Sequence, residues 1–437
     1  MVPRAAAFFT ATFVLVSTML GVAQSQPASH KVKWIGSWAS SQQIAEPSNA
    51  PGPDDLHDVT LRQIVFLSIG GKELRVRLSN AFGTAPLHIA SVHIARPLSP
   101  STGSVDVSTD KALTFSGNAD VTIPAGAEYI SDPVAFSASA LSSLAITMYM
   151  ETPPEQQTSH PGSRAASFLV HGNQTTATDL VNAKQLDHWY QISGVDVTAT
   201  PSAASIVALG DSITDGRGST TNSNDRWPDD LARRLQASPT TQMYGVLNAG
   251  IGGNRLLLDS KGPNALARFD RDVLSRAGVR FLIVQEGIND LGTLTIDREV
   301  PPADHEAIVR HVIGAYEQIL MRAHANGIRV LGATMTPYMG FAMYHPTQAN
   351  EADRQAVNAW IRTPGHFDAV VDFDKVVRDP AHPDQFLPAY DSGDHLHLSP
   401  AGYRAMADAI PLSFLSRGMA RKERPGPRKH KRTEGEP

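Results

Sequence analysis

The sequence predicts an α/β protein in which an all-β, jelly-roll-like sandwich domain precedes a domain with a parallel sheet between helices. Three observations support this fold class. Among the 437 residues, 41% are hydrophobic and 19% charged, as is usual for a chain with a packed core. Short apolar runs separated by Gly, Pro, Ser and Asn fill residues 24–200, which is typical of a sandwich. From residue 201 onward, apolar strands alternate with amphipathic helices, which indicates a parallel sheet.

The two ends of the chain differ from these domains. Arg4 precedes an uncharged apolar run over residues 5–20, and Gly21-Val22-Ala23 supplies small residues for cleavage after Ala23. Residues 1–23 are therefore predicted to be a signal peptide; a retained membrane anchor is the alternative, although the run is short beside the roughly 20 residues of a spanning helix. We expect a secreted or periplasmic protein with no stable membrane insertion after cleavage. Residues 417–437 are rich in Lys, Arg, Pro and Glu and are predicted to be a disordered basic tail.

Charge and cysteine content exclude several classes of function. The formal net charge is −5, which gives no reason to expect nucleic acid as a partner. The chain contains no cysteine. A cysteine nucleophile, a cysteine-bound zinc and a disulfide are therefore all excluded.

Apolar residues that alternate with polar ones, and short apolar runs, predict strands in the first domain, residues 24–200. Leu74, Val76 and Leu78 alternate with charged residues, as in a strand with one buried and one solvated face. The pair Gly70-Gly71 separates this strand from the apolar run 63–69, which predicts a hairpin. Further strands are predicted at residues 87–95, 112–115, 121–123, 144–150 and 167–170.

The second domain, predicted to span residues 201–416, contains both helix-like and strand-like patterns of apolar residues. Its predicted helices are residues 229–236, 304–325 and 401–410, the second of which ends at Asn326-Gly327. Its predicted strands are residues 205–209, 246–248, 281–284, 328–335 and 370–373. In such sheets the functional residues gather at the carboxyl ends of the strands.

Two segments at predicted strand ends carry serine and glycine. Ser212 lies in Gly-Asp-Ser-Ile-Thr-Asp-Gly (210–216), where a tight turn after a strand would expose a nucleophile, although Gly-Asp-Ser is also a common turn sequence. The segment Asn-Ala-Gly-Ile-Gly-Gly-Asn (248–254) follows the next strand. No Lys-Ser or Lys-Thr pair follows it to hold a nucleotide, so a backbone donor for an oxyanion fits better than a phosphate loop.

Two further segments supply an amide and an acid–base pair. Asn289, in Glu-Gly-Ile-Asn-Asp (286–290), could donate to an oxyanion or simply cap a helix. Asp394 precedes His397 by three residues, so its carboxylate can hold Nδ1 and leave Nε2 free to act as a base. His395 is a competing base candidate. Ser399-Pro400 predicts the start of the following helix.

These four segments, in this order, resemble those of the SGNH hydrolase family, also called GDSL esterases and lipases. The resemblance covers about residues 205–414 and implies a three-layer α/β/α hydrolase domain. It assigns Ser212 as nucleophile, Asp394 and His397 as the acid–base pair, and the Ser212 N–H, Gly253 and Asn289 as the oxyanion hole. It implies neither a metal nor another cofactor.

The sequence departs from the family pattern at two positions. Ile213 replaces the Leu of the family name, and Leu398 stands where many members have Pro. The N-terminal stretch resembles the β-domain of a two-domain subgroup of the family. Residues 34–38, 60–63 and 77–83 carry that second likeness.

The resemblance implies a serine esterase that forms an acyl-enzyme on Ser212. We expect short-chain, acetyl-type esters of a carbohydrate such as an acetylated polysaccharide, with a lipase or aryl esterase as the alternative. The loop 336–344, rich in Met and aromatic residues, is expected to line the acyl or sugar pocket. Two other hypotheses are a metal-dependent hydrolase and a non-catalytic carbohydrate-binding protein. The metal site would use His395, His397, Asp394 and Asp211; the sugar site would use exposed Trp34, Trp38, Trp189 and Tyr190.

Overall fold

The computed structural model describes residues 33–416. The predicted signal peptide and basic tail lie outside these residues. No helix in the described part of the chain has the length and apolar composition needed to cross a membrane.

The first part of the chain, residues 33–200, has strands as almost its only regular secondary structure; we call it the β region. It also contains a short 3₁₀ helix at Pro53–Leu56. The strands are β1 (Lys33–Ala39), β2 (Gln43–Ile44), β3 (Val59–Leu67), β4 (Gly71–Ser79), β5 (Leu87–Ile89), β6 (Ser91–Pro97), β7 (Val105–Ala112), β8 (Val121–Ile123), β9 (Glu128–Ile130), β10 (Val134–Ala138), β11 (Ser142–Met150), β12 (Thr158–His160), β13 (Ser167–His171), β14 (Lys184–Leu186), β15 (Trp189–Tyr190) and β16 (Ile192–Ala199).

Two antiparallel sheets form a sandwich in the β region. One has the order β1-β16-β4-β10 with β9 beside β4, and the other has the order β14-β13-β3-β11-β6-β7. Leu74, Val76 and Leu78 of β4 are fully buried, in one core with Ile146 and Met148 of β11. The alternation in the sequence therefore identified the buried face of β4 correctly, and the sandwich prediction is confirmed.

The hairpin predicted at Gly70-Gly71 is wrong. Strand β3 pairs with β11 and β13, whereas β4 pairs with β16, β10 and β9, so the chain crosses between the two sheets here. At Gly70 a Cβ atom would lie 2.4 Å from the carbonyl oxygen of Ala138. The glycine is needed for this close approach, which a local sequence pattern cannot distinguish from a turn.

Two other strand predictions need correction. The predicted strand 87–95 is divided between β5, which pairs with β8, and β6, which pairs with β11 and β7. The predicted strand 112–115 contains only the end of β7 and an isolated bridge at Phe115. Most of β7 escaped prediction because it is an edge strand with largely exposed polar residues and therefore lacks an apolar pattern.

The second face of β4 is covered rather than solvated. Arg77 is only 6% exposed, and its Nε and Nη2 donate to Oδ2 of the buried Asp196 at 3.1 and 3.0 Å. Arg75 donates to the same oxygen at 3.0 Å. Charged residues at alternate positions therefore indicated a polar face correctly, but the paired charges allow it to be largely buried.

Residues 201–416, the α/β region, alternate strands and helices as predicted. A π-helical turn lies at Asp270–Leu274. The elements are β17 (Ala204–Gly210), α1 (Ser212–Asp215), α2 (Trp227–Gln236), β18 (Tyr244–Gly250), α3 (Ala265–Phe269), β19 (Val279–Gln285), α4 (Ile288–Leu294), α5 (Pro302–Ala325), β20 (Arg329–Ala333), α6 (Gln348–Arg362), β21 (Ala369–Val371), α7 (Phe373–Val377), α8 (Pro400–Ala409) and α9 (Ser413–Ser416).

All strand pairs of this region are parallel, in the order β18-β17-β19-β20-β21. Helix α8 packs on α2 and α7, while α5 packs on α3, α4 and α6, which gives two helical groups. The predicted α/β fold class is thus confirmed. The chain leaves β17 first toward β18 and then returns to β19 on the other side. Such a reversal opens a crevice at the carboxyl end of β17, and α/β proteins bind their ligands in crevices of this kind.

Hydrogen bonds between backbone N–H groups and serine hydroxyls, together with one close backbone approach, attach the β region to the parallel sheet. The Val246 N–H on edge strand β18 donates to Ser68 Oγ at 2.8 Å. The Gly36 N–H of β1 lies 2.9 Å from Ser205 Oγ, and at Gly245 a Cβ atom would come within 2.3 Å of the Gly36 carbonyl oxygen. These contacts cover the edge of the parallel sheet and join the β region to the first residues of β17 and β18.

The aromatic residues considered for sugar stacking are mostly packing residues. Trp38, Trp189 and Tyr190 are buried, and the Trp38 and Trp189 rings meet edge to face at 4.9 Å between centroids. Trp34 is partly exposed. The Arg75 guanidinium lies over its ring, with the guanidinium carbon 4.6 Å from the ring centroid. The three buried rings therefore present no open face on which a sugar could stack.

Candidate active site

Ser212 is held on a tight turn at the end of β17. Asp211 caps the short helix α1 by accepting a hydrogen bond from the Ile213 N–H at 2.8 Å. At Gly210 a Cβ atom would lie 2.1 Å from Thr214 Oγ1, so position 210 must be glycine. The turn thus places Ser212 at the carboxyl edge of the sheet, where the sequence predicted it.

His397 and Asp394 complete a hydrogen-bonded chain with Ser212. Ser212 Oγ lies 2.7 Å from His397 Nε2, and His397 Nδ1 lies 2.6 Å from Asp394 Oδ2. The other carboxylate oxygen of Asp394 accepts the backbone N–H groups of His397 at 2.9 Å and Leu396 at 3.1 Å. The loop before α8 therefore fixes the carboxylate, and the carboxylate orients the imidazole.

The environment shifts the pKa values of this pair in ways that suit a base. Burial opposes ionisation of Asp394, but hydrogen bonds from the His397 side chain and backbone hold its pKa well below the usual range. Burial also lowers the pKa of His397, and the Asp394 carboxylate only partly offsets this effect. An imidazole that is neutral at neutral pH can accept a proton from Ser212.

The competing base, His395, is directed elsewhere. Its Nδ1 lies 2.6 Å from Asp391 Oδ2, and its side chain is largely exposed. His395 and His397 therefore face different carboxylates. Within residues 33–416, no group of three or more His, Asp or Glu side chains is arranged to hold a metal ion.

Asn289 and Gly253 line the same cavity as Ser212. Asn289 Nδ2 donates to the Asn254 carbonyl at 2.7 Å, and its Oδ1 accepts from the Tyr344 hydroxyl at 2.6 Å. These two bonds fix which end of the amide carries the donors. The backbone N–H groups of Ser212 and Gly253 donate to no acceptor in the described range. They are available to a developing oxyanion.

The cavity has a volume of about 310 Å³ and is formed by both regions of the chain. Phe341, Met343 and Tyr344 line it, as expected for the loop 336–344. The contribution of the β region was not predicted from the sequence. It depends on residues that are distant in the chain, such as Gln43 and Ser212, and only the fold brings them together. The lining residues from the β region are Gln43, Glu46, Asn49, Pro161, Gly162, Arg164 and His188.

Arg268 forms hydrogen bonds to the backbone that supports the site. This residue was not predicted from the sequence. Its buried guanidinium donates to the carbonyl oxygens of Gly210 at 3.0 Å and Ala249 at 2.7 Å, and to Asn254 Oδ1 at 2.9 Å. It thereby joins the strand ends that precede Ser212 and Gly253. A single arginine in a helical pattern usually lies at the surface, so the sequence contained no signal for this role.

A second His–Asp pair links the β region to the turn that bears Ser212. His160 Nε2 lies 2.9 Å from Asp215 Oδ1, and His160 Nδ1 lies 2.7 Å from the Ser41 carbonyl oxygen. Asp215 is the last residue of α1, three positions after Ser212. The pair therefore attaches α1 to the β region, and only the tertiary structure could reveal it.

Three buried carboxyl groups lie beneath the site. Burial raises the pKa values of Asp211 and Glu286. Charge repulsion from Asp290 adds to the rise for Asp211, and repulsion from Asp211 adds to the rise for Glu286; burial also raises the pKa of Asp290 to about 6. Both carboxyl oxygens of Glu286 lack a hydrogen-bond partner among the described residues. An isolated buried carboxylate is costly, so the protonated form is favoured in the folded protein.

Replacing Glu286 with glutamine is expected to reduce the loss of stability at higher pH. A carboxyl group with a raised folded-state pKa binds more protons in the folded chain than in the unfolded chain, so the free energy of unfolding falls as pH rises. Glutamine cannot ionise. The melting temperature of the variant should therefore rise relative to that of wild type as pH increases from about 5 to about 8. The expected rise is roughly 2–4 °C for each kcal/mol of difference in the free energy of unfolding.

Glu306→Gln provides the matched control, because Glu306 lies on α5 with a 76% exposed side chain. Its melting temperature should differ from that of wild type by the same small amount at every pH. Parallel curves for Glu286→Gln and wild type would contradict the assigned protonation of Glu286.

Comparison with known proteins finds one family that part of the chain resembles. Residues 208–405, slightly less than half of the chain, match the GDSL-like Lipase/Acylhydrolase family model. A search of curated proteins returned no significant match.

Among solved structures, the aryl esterase of M. smegmatis is 15% identical, with 49% of this chain and 99% of that chain covered and a TM-score of 0.38. A GDSL-like lipase from Bacteroides thetaiotaomicron is 20% identical, with 49% and 88% covered and a TM-score of 0.35. Residues 208–405 of this chain are thus similar to the GDSL-like Lipase/Acylhydrolase family.

Proposed function

We propose that Ser212 is the nucleophile of a serine esterase, with His397 as general base and Asp394 as its orienting carboxylate. The hydrogen-bonded chain from Ser212 Oγ through His397 to Asp394 is the observation that supports this proposal. The surrounding residues supply the other requirement of acyl transfer, namely donors beside the nucleophile. These donors are the Ser212 N–H, the Gly253 N–H and the Asn289 amide.

In the proposed cycle, His397 Nε2 accepts the Ser212 proton as Oγ attacks the ester carbonyl carbon. Negative charge forms on the carbonyl oxygen and is stabilised by the three donors. His397 then protonates the leaving alcohol, and an acyl group remains on Ser212. A water molecule, deprotonated by His397, attacks the acyl-enzyme and releases the acid.

We further propose that the substrate carries a short acyl group, of acetyl type, on a polar alcohol such as a carbohydrate. The cavity volume of about 310 Å³ lies at the small end of the roughly 300–1,000 Å³ typical of ligand sites. Polar side chains of the β region, including Gln43, Asn49 and His188, line it. These groups suit an alcohol with several hydroxyls better than an aliphatic chain.

A lipase is the second candidate, because Met343 lines the cavity and is 61% exposed. An apolar side chain at the mouth could contact a lipid. The test is hydrolysis of para-nitrophenyl esters from acetyl to palmitoyl, with acetylated xylan in parallel, by wild type and Ser212→Ala. Turnover confined to acetyl and butyryl esters, with acetate released from xylan, would support the carbohydrate esterase; preference for palmitoyl would favour the lipase.

We also propose export of the protein, on the basis of the sequence of residues 1–23. The N-terminal sequence of protein recovered from the producing cells' medium or periplasm tests this. A mature chain that begins at Gln24 is the expected result, whereas retention of Met1 in the membrane fraction would favour the anchor.

Asn289→Ala is expected to lower kcat for para-nitrophenyl acetate by about 10²–10³, because one preorganised donor to the oxyanion is lost. Tyr344→Phe removes only the hydroxyl that holds Asn289 Oδ1. We expect a smaller loss in kcat for this variant. In the double variant, Tyr344→Phe should add little to the effect of Asn289→Ala, because its hydroxyl acts through that amide.

The measurement is steady-state kinetics of both single variants and the double variant. Thr293→Ser is a suitable control, since its hydroxyl bonds the Asn289 carbonyl and the change keeps that group. Fully additive losses in the double variant would show that Tyr344 does not act through Asn289.

A further inference from the structure

Two arginines in the proposed active-site cavity have charges that the protein leaves largely unpaired. Arg164 belongs to the β region, and Arg217 follows α1; both line the cavity with Ser212 and His397. The Arg164 guanidinium forms no hydrogen bond or ion pair within residues 33–416, and its Nε is buried without an acceptor. Arg217 makes one loose ion pair, 3.9 Å from Asp394 Oδ2.

The other charged groups of the cavity are paired. Glu46 lies 3.5 Å from Lys261 Nζ and accepts from Asn49 Nδ2 at 2.9 Å. Asp215 is bound to His160. Three cations and two carboxylates therefore line the cavity, and the two arginines are the cations that lack a close ion pair.

Both arginines lie near the imidazole of His397. Burial has the largest effect on the His397 pKa, but Arg217 and Arg164 also lower it, which places their charges within electrostatic range. In acyl transfer, His397 Nε2 delivers the proton to the leaving alcohol. The alcohol part of the ester therefore lies on the His397 side of the cavity that the two arginines also line, while the acyl oxygen faces Gly253 and Asn289.

The backbone around Arg164 is held in an unusual conformation. Its φ of 48° lies in the left-handed region, which is uncommon for a residue other than glycine. The Arg164 carbonyl accepts from the Asn222 N–H at 2.9 Å, and the neighbouring Ala166 N–H donates to Asn222 Oδ1 at 2.8 Å. The α/β region thus fixes the loop that directs this side chain.

We propose that Arg164 and Arg217 bind an anionic group, such as a carboxylate, on the alcohol part of the substrate. This inference rests on the proposed esterase function and narrows its substrate class to esters of acidic alcohols, for example acetylated acidic sugars. A guanidinium group donates two parallel hydrogen bonds to a carboxylate or phosphate, which would satisfy the unpartnered Nε of Arg164.

The test compares three acetyl esters that differ in charge on the alcohol. Methyl 4-acetoxybenzoate is neutral, 4-acetoxybenzoate carries a carboxylate, and 4-acetoxyphenyl phosphate carries a phosphate. The quantity measured is kcat/KM for each anionic ester divided by that for the neutral ester. Comparing this ratio between enzyme variants cancels the intrinsic reactivity of the esters.

In Arg164→Gln and in Arg217→Gln, we expect the ratio for the carboxylate ester to fall about tenfold, as for loss of a charge-assisted hydrogen bond. Arg164→Lys should retain part of the preference because it keeps the charge but not the paired donors. The wild-type ratio should fall as salt is added, since partly exposed charges are screened. Arg310→Gln, which removes an exposed charge on α5, is the control and should leave the ratio unchanged.

An unchanged ratio in both glutamine variants, with no salt dependence in wild type, would overturn the anion site while leaving the esterase intact. A drop confined to the phosphate ester would overturn the assignment to a carboxylate. Absence of Ser212-dependent turnover of the neutral ester would overturn the esterase proposal itself, and this inference with it.

Discussion

Replacing Ser212 with alanine is expected to lower kcat for short-chain esters by about 10⁶ and to abolish covalent labelling by a fluorophosphonate. Without Oγ, no acyl-enzyme can form, and the remaining donors act only on direct attack by water. The fold should be retained, because Oγ contacts only His397 through a hydrogen bond. Kinetics, labelling and circular dichroism together measure these effects.

Ser202→Ala is the matched control for this variant. Ser202 lies in an exposed turn before β17, where its Oγ contacts only the Thr200 hydroxyl at 3.2 Å. Labelling and turnover of this control should equal those of wild type. Continued labelling of folded Ser212→Ala would identify a different nucleophile and end the proposed mechanism.

Asp394→Asn is expected to lower kcat/KM by about 10⁴ while preserving the loop. The amide oxygen of asparagine can still accept the backbone N–H groups of Leu396 and His397, as Oδ1 does now. Its NH₂ group would then face His397 Nδ1. That arrangement favours the tautomer with the proton on Nε2, which cannot accept a proton from Ser212.

Asp391→Asn tests the same change at a neighbouring position. Asp391 Oδ2 contacts His395 Nδ1 at the same distance of 2.6 Å, but His395 does not reach Ser212. We expect less than a tenfold loss in kcat/KM for this variant, measured on para-nitrophenyl acetate over pH 5–9. Equal losses in the two variants would indicate that the carboxylates act through loop structure and not through the tautomer of His397.

The two regions of the chain have complementary parts in the proposed chemistry. The α/β region carries the proposed nucleophile, base and oxyanion donors on turns that follow its parallel strands. The β region anchors the first of these turns through His160 and Asp215, and it lines the cavity with groups such as Arg164. Mutations in the α/β region are therefore expected to affect the chemistry most directly, whereas mutations in either region can alter substrate selection.

Features set by neighbouring residues were predictable from the sequence. The apolar alternation in β4 identified its buried side, and Ser399-Pro400 identified the start of α8, because both depend on residues a few positions apart. The short separation of Asp394 and His397 likewise suggested their contact. The place of Ser212 beside them came from the resemblance, since 185 residues separate it from His397.

Features set by distant residues were decided only by the tertiary structure. Gly70-Gly71 could belong to a turn or to a crossing between sheets, and strand pairing far along the chain selected the crossing. The roles of Arg268, His160 and Arg164 depend on partners, or on the lack of them, that come from other elements. A local pattern records the propensity and burial of each segment. It does not indicate which carbonyl or carboxylate the fold brings within hydrogen-bonding distance of a buried charge. The presence or absence of such a partner decides whether that charge is structural or available to a substrate.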